Sequence, residues 1–290
     1  MGITNDIRYK FSTLNIAEKI IVINVAIFII DTLLVFLLQL PGDYIMRWFE
    51  LPKSFNVFIL QPWSLVTYAF FHGGFMHIFW NMILLYFSSR IFLNLLSKKY
   101  FLNVYFLGAI SGGILFLLSY NIFPAFSGIN SSLIGASAAI MAILIFICTY
   151  LPNQEVRIIF FNIKLWYIGA LFVLLDLIQL PLGNSGGHIA HLGGSLLGFV
   201  YAKKLQEGTD IGAGFSNLMS SVGNMFSKSK KSPLKTVHKN KQRPKASRNN
   251  KASGNEHQKQ IDAILDKISK SGYESLSKEE KDFLFKAGKE

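Results

Sequence analysis

The 55 residues between Lys99 and Glu155 contain no Asp, Glu, Lys or Arg, and from Leu165 to Ala202 the one such residue is Asp176. Water-soluble domains carry about a quarter charged residues spread along the chain, so these stretches exclude an ordinary soluble fold. The remaining composition agrees: 51% of residues are hydrophobic, and they come in unbroken runs rather than amphipathic stripes. A bilayer core about 30 Å thick takes roughly 20 helical residues to cross. Lipid offers no partner to an open backbone group, so each crossing is helical. Six such runs fall near 19–40, 75–96, 101–122, 134–151, 164–182 and 188–205. The chain therefore reads as all-α, a polytopic six-helix membrane bundle over 19–205 behind a short N-terminal segment, 1–18.

Basic residues in short loops mark the side that is not translocated. Arg8, Lys10 and Lys19 precede the first run, Lys98 and Lys99 follow the second, Arg157 and Lys164 follow the fourth, and Lys203 and Lys204 close the sixth. All lie on one side. The connections 122–133 and 182–187 hold no basic residue, and the long connection 41–74 holds only Arg47 and Lys53. Both termini are thus expected in the cytoplasm. The first run is too long for a signal-peptide core and no small-residue cleavage site stands out after it, so it is expected to stay as a helix. The single cysteine, Cys148, lies inside the fourth run; it excludes an internal disulfide and reads as a packing residue.

Beyond the sixth run the composition shifts. Residues 206–256 read as a flexible linker, and 228–251 hold ten Lys or Arg with no acid. Such a segment is suited to anionic lipid headgroups. No aromatic residues interleave the charges to stack on bases, so no nucleic-acid partner is expected. In 257–290, Ile261, Ile264, Leu265 and Ile268 follow helical spacing, Gly272 breaks it, and "SKEE" from Ser277 reads as a capping box opening a second helix. This tail is expected to be a small helical hairpin.

Polar side chains inside apolar runs are expensive and informative. In "FFHGGFMHIFWN", His77 and Asn81 share a helix face at i,i+4, about a turn beyond His72. In "NSGGHIAHLGGSLLGF", His188 and His191 lie one turn apart, and Gly194 and Gly198 continue the face of His191. Glycines so placed admit a neighbouring backbone, and "GASAA", around Ser137, is the small-residue partner expected. No HExxH occurs and neither histidine-bearing run supplies a carboxylate, so neither a metal nor any other cofactor is expected. Two readings of the histidines remain at this level, as bridges between helices or as parts of a nucleophilic site. In the second, Ser137 is the nucleophile, a histidine of the sixth run its base, and His77, Asn81 and the Ser137 amide supply donors to an oxyanion.

Together, "PWSLVTYAFFHGGFMHIFWN" (62–81), "GASA" (135–138) and "AHLGG" (190–194) followed by Gly198 resemble the rhomboid intramembrane serine proteases, over about residues 15 to 205. The tail is similar to tails on rhomboids of the Bacteroidetes. The resemblance implies a serine endopeptidase that cleaves transmembrane segments of membrane proteins by a Ser–His dyad, in the inner membrane of a bacterium. Carried over by position, Ser137 is the nucleophile, His191 the general base, and His77 and Asn81 the oxyanion donors. His188 and His72 are then structural. Since the family works with two residues, Asp176 is expected at the interface or in water, and Asp31 in a polar interior contact. A catalytically silent rhomboid-like protein that binds and traffics membrane helices is the rival reading. The chain departs from better-known bacterial members at Ser64, Met141 and Leu93, differences that bear on the anchoring of the long first loop and on the packing of the histidines.

Overall fold

The computed structural model describes residues 3–158, 160–226 and 252–287. Two compact units are present, Met1–Ser229 and Lys230–Glu290.

In the first unit the helices run in chain order α1 (Ile3–Thr13), α2 (Ile16–Leu37), α3 (Phe55–Leu60), α4 (Ser64–Thr67), α5 (Phe75–Leu95), α6 (Lys98–Ile122), α7 (Ser137–Tyr150), α8 (Leu165–Gln179), α9 (Ser185–Gln206) and α10 (Ala213–Phe226). A helix stands in each of the six apolar runs, but among the described residues only α2, α5 and α6, at 22, 21 and 25 residues, have both the length and the apolarity to cross a bilayer. Of the six expected spans, three are thus matched by helices of spanning length and apolarity. At 1.5 Å per residue, α7 with 14 residues and α8 with 15 fall short of about 30 Å. The causes are local. The backbone of Gly135, at φ +109°, stops α7 from starting before Ala136, and α8 ends just ahead of Pro181. α9 has the length, but five glycines and two histidines dilute its apolarity.

The burial pattern is that of a helix bundle in lipid. Along α2, Val22, Ile23, Ile29, Ile30, Leu33 and Leu37 face outward, while Asn24 is buried and donates its Nδ2 hydrogen to Ile20 O at 2.8 Å. α8 likewise exposes Leu171, Leu174 and Ile178 and buries Gly169 and Asp176. Helices in lipid gain nothing by hiding leucine from hydrocarbon, so the interior is selected for close approach and polar pairing.

Close approach is concentrated around α7, which is buried from Ala138 to Cys148. Cβ atoms added to Gly194 and Gly198 of α9 would run into the carbonyl oxygens of Ala138 and Ala142, and one on Gly108 of α6 would overlap Ala142 Cβ. One on Gly112 would lie 2.6 Å from Ala138 Cβ, and one on Gly193 would lie 2.9 Å from Gly112 Cα. The small residues of "GASAA" and "AHLGG" therefore meet as their spacing implies, with α6 as a third partner. No single Cβ can be added there without moving backbone.

The long connection after α2 is held by backbone and side-chain bonds. Strand β1 (Leu51–Pro52) pairs antiparallel with β2 (Ser132–Leu133), Leu51 opposite Leu133. Trp63 Nε1 donates to Trp48 O at 2.8 Å, Thr67 Oγ1 to Phe49 O at 2.9 Å and Asn121 Nδ2 to Lys53 O at 2.7 Å. Far from this end of the bundle in sequence, β3 (Glu155–Ile158) and β4 (Phe161–Lys164) form a hairpin between α7 and α8.

Residues 213–226, expected within a flexible linker, are helical instead. Phe215, Leu218, Met219 and Val222 fall at i, i+3, i+4 and i+7, one face of α10. The helix is tied back through a buried amide: Ser216 Oγ donates to Asn103 Oδ1 at 2.7 Å, and Asn103 Nδ2 donates to Tyr201 OH at 3.2 Å and Gly212 O at 3.1 Å. Tyr201 in turn donates to Asp210 Oδ1 at 2.5 Å. Replacing Asn103 with leucine orphans several of these groups at once, and each unsatisfied buried group costs about 1–3 kcal/mol. A thermal-unfolding scan in detergent is expected to show Asn103→Leu well below wild type.

In the second unit α11 (Ala252–Ser271) is followed by Gly272 at φ +78°, a 3-10 turn over Tyr273–Ser275, and α12 (Lys278–Ala287). The capping box forms: the Glu280 N–H donates to Ser277 Oγ at 3.2 Å and the Ser277 N–H to Glu280 Oε2 at 2.8 Å. Lys267 donates to Glu280 at 2.9 Å, and this bond together with the Ser277 amide holds the Glu280 carboxyl below the ordinary carboxylate range. The basic stretch expected at 228–251 lies outside the described residues.

Candidate active site

Ser137 is the first residue of α7. The first four N–H groups of a helix have no partner inside it, and the helix dipole places partial positive charge there. The Ser137 amide is therefore a free donor at an end that favours an anion. It reaches this position through Gly135, whose φ of +109° suits glycine and whose missing Cβ makes room for His77 Nε2, which would lie 2.6 Å from it.

A cavity of about 270 Å³ opens beside the serine, with Ser137, Asn81, Asp176, His188 and His191 in its wall together with Trp80 and Met141. Three of the four side chains expected to work together, Ser137, His191 and Asn81, thus share one cavity, and the fourth, His77, stands over Gly135 next to it. Among the described residues no hydrogen bond joins Ser137 to His191; such bonds often close only when substrate is bound.

The oxyanion candidates have assignable roles. His77 Nδ1 accepts the Gly73 N–H at 3.4 Å, which leaves the proton on Nε2, the nitrogen facing Gly135. Asn81 Nδ2 donates to His77 O at 2.8 Å, using one amide hydrogen and leaving the other. His72, buried, accepts the Ala136 N–H on Nε2 at 3.4 Å. Its structural assignment acquires a content: it holds the residue preceding the serine.

Asp176 departs most from expectation. It is buried, at 6% exposure, in the last turn of α8, and its Oδ1 lies 2.8 Å from Nδ1 of His188 and 2.8 Å from Nδ1 of His191. The carboxylate absent from both histidine-bearing helices comes from a third. An acid alone in a helix is poorly placed in lipid, and turning it inward toward two imidazoles satisfies it. Its sequence signal was its isolation: it is the single acid between Leu165 and Ala202. His188, expected to be structural only, is brought into the same cavity as His191. Asp31 lines a separate opening with His72 and Gly74, and among the described residues its Oδ1 has no hydrogen-bond partner.

Residues 60–207 match the family described as the rhomboid domain, and residues 249–287 match a family of unknown function (DUF6576). The chain is 31% identical over 141 residues to presenilin-associated rhomboid-like protein A, mitochondrial, of Danio rerio, a match covering 47% of this chain and 36% of that one. It is 30% identical over 147 residues to the Homo sapiens presenilin-associated rhomboid-like protein, mitochondrial (49% and 37%). With RHOMBOID-like protein 12, mitochondrial, of Arabidopsis thaliana it shares 26% over 157 residues (50% and 47%). The chain thus spans less than half the length of these relatives. Two expectations fall with these names. The relatives are eukaryotic, so the likeness of the tail to Bacteroidetes rhomboids finds no support, and each is named as mitochondrial, which overturns the bacterial inner membrane as the location. The match over 60–207 takes in the end of the long loop, α5 with His77 and Asn81, α7 with Ser137 and α9 with His191, more than half of the chain, and on that ground the chain belongs to the rhomboid family.

Proposed function

We propose that this chain is an intramembrane serine endopeptidase, with Ser137 as nucleophile, His191 as general base, and His77, Asn81 and the Ser137 amide around the oxyanion. One observation carries the reading: Ser137, at the N-terminus of α7, shares a cavity with His191, whose Nδ1 is engaged by Asp176 so that Nε2 is the nitrogen with a free lone pair. Serine needs a neighbouring base to act as a nucleophile. In the proposed reaction Oγ attacks the scissile carbonyl while its proton passes to Nε2. The tetrahedral oxyanion is met by the helix-end amide and the Nε2–H of His77. Collapse of this intermediate returns the proton to the leaving amine, and water repeats the sequence on the acyl-enzyme.

The substrates in this reading are transmembrane segments of other membrane proteins. A helical peptide bond is shielded by its own hydrogen bonds, so a substrate has to unwind locally before Oγ can reach it. In the proposed topology six helices form the bundle, with α7 and α8 as its shorter members, and the basic loops share one side while the serine lies toward the other. The basic stretch after α10 would contact anionic lipid. The membrane that the relatives point to is mitochondrial.

A fluorophosphonate probe tests the reading without knowledge of the substrate. Full-length protein in detergent is expected to be labelled, and Ser137→Ala is expected to abolish the label. Absence of labelling on a folded wild-type chain would favour the silent, helix-binding rhomboid-like reading.

A further inference from the structure

We propose that a cleft between α5 and α8 holds one anionic glycerophospholipid, its phosphate on Arg90 and Arg157 and an acyl chain between the two helices. The inference stands apart from the protease reading, because the arginines are at the other end of α5 from the serine. His77 stands in the first turn of α5, and Arg90 follows 13 residues later. At 1.5 Å per residue that separation is about 20 Å along the axis. The cleft is a cavity of about 650 Å³. α5 gives it Leu84, Phe87 and Ile91, α8 gives it Ile168 and Phe172, and Ile147 of α7 lies between them.

Arg90 is the single charged residue of α5. A charge in an apolar helix needs a partner and marks a site. Among the described residues no carboxylate supplies one: Arg90 Nη1 donates to Tyr86 OH at 3.5 Å, one turn back, and the guanidinium lies 5.6 Å from the centre of the Tyr86 ring. That contact aims the side chain but leaves most of its five donors unused. Arg157 reaches the same cavity from β3, and among the described residues it too has no carboxylate partner. No Asp or Glu is in the cavity wall. Two exposed guanidinium groups without a counter-ion call for an anion, and their fork of donors matches the oxygens of a phosphate. A small soluble anion leaves the leucine, isoleucine and phenylalanine walls uncovered. A phospholipid fills both parts of the cleft, and basic pockets between spanning helices are of the kind that take anionic headgroups. The surroundings agree: Lys98 opens α6 and Lys164 immediately precedes α8. So seated, the lipid bridges α5 and the hairpin that leads into α8.

The experiment titrates the full chain in non-ionic detergent with dioleoyl-phosphatidylglycerol, dioleoyl-phosphatidylcholine or glycerol phosphate, and counts bound species by native mass spectrometry. Wild type is expected to take up one phosphatidylglycerol ahead of any phosphatidylcholine. Each basic residue at a headgroup contributes about 1 kcal/mol, so Arg90→Gln and Arg157→Gln should each weaken that uptake about fivefold and the double variant about 25-fold. Both side chains are exposed, so lipid-free unfolding temperatures should stay near wild type. The double lysine variant keeps the charge but loses the fork, and is expected to fall between wild type and the double glutamine variant. Equal uptake of the two lipids by wild type overturns the inference, since the cleft then selects hydrocarbon alone. A double glutamine variant with wild-type affinity also overturns it and assigns the lipid to the basic stretch 228–251. Displacement of the lipid by glycerol phosphate at matching concentration overturns it in favour of a free-anion site.

Discussion

Replacing Ser137 or His191 with alanine is expected to lower turnover of a transmembrane substrate by at least about a thousandfold, and replacing both to cost no more than either alone. Nucleophile and base act as one unit, so once one is gone the other has nothing to do, and effects within such a unit are grossly non-additive. What survives is the oxyanion donors and substrate binding. Both sites suit the experiment structurally. Ser137 is at a helix start, where alanine preserves the backbone, and His191 lies on the cavity wall, where truncation leaves polar space beside Asp176. Unfolding temperatures in detergent should therefore remain near wild type. Single-turnover cleavage in liposomes gives the result directly, and additive losses in the double variant would show that the two residues do not form one unit.

Gly194→Ala is expected to be the most damaging single-methyl change in the bundle. The new Cβ meets the carbonyl oxygen of Ala138, which is backbone and adjacent to Ser137, so the helices have to separate. Overpacking of this kind costs about 1–3 kcal/mol. The activity loss should exceed what that figure implies, because α9 carries His191 three residues before Gly194, and a displacement near 1 Å between reacting groups costs on the order of 100-fold. Gly223→Ala is the control. It lies in α10 with nothing within 4 Å of its Cβ position, and alanine in an exposed helix is worth up to about 1 kcal/mol over glycine. An unfolding scan paired with probe labelling separates the two, and a Gly194→Ala protein with wild-type rate would mean that the packing of α7 on α9 does not set the geometry of the serine.

Helix faces were legible in the sequence because period and cost are local: His77 with Asn81, and His191 with Gly194 and Gly198, need only 3.6-residue geometry and the rarity of polar groups among apolar ones. The capping box at Ser277 was legible for the same reason. Helix lengths were not. The hydropathy of the fourth run continues through Gly135, while the chain turns there, since a positive φ leaves no trace in hydropathy. α10 was hidden in a polar, glycine-bearing stretch whose apolar face is only four residues wide. Asp176 was visible as an oddity, but its partners lie on α9, 12 and 15 residues away across a turn. Burial of a lone acid says that it must have partners without saying which.

The two-residue ladder between β1 and β2 gives the long first loop a mechanical hold on the chemistry. Leu51 is fastened opposite Leu133, and from Leu133 the chain runs directly through Gly135 to the serine. Gly135 donates its own N–H to Tyr68 O at 2.9 Å, a second stitch from the same loop region. Residues 41–50 are therefore linked to the start of α7 through one strand pair and a short run of chain. The register of β1 on β2 and the Tyr68–Gly135 bond thus fix where the backbone leading into Ser137 begins, and a substitution that slips either of them displaces the start of α7.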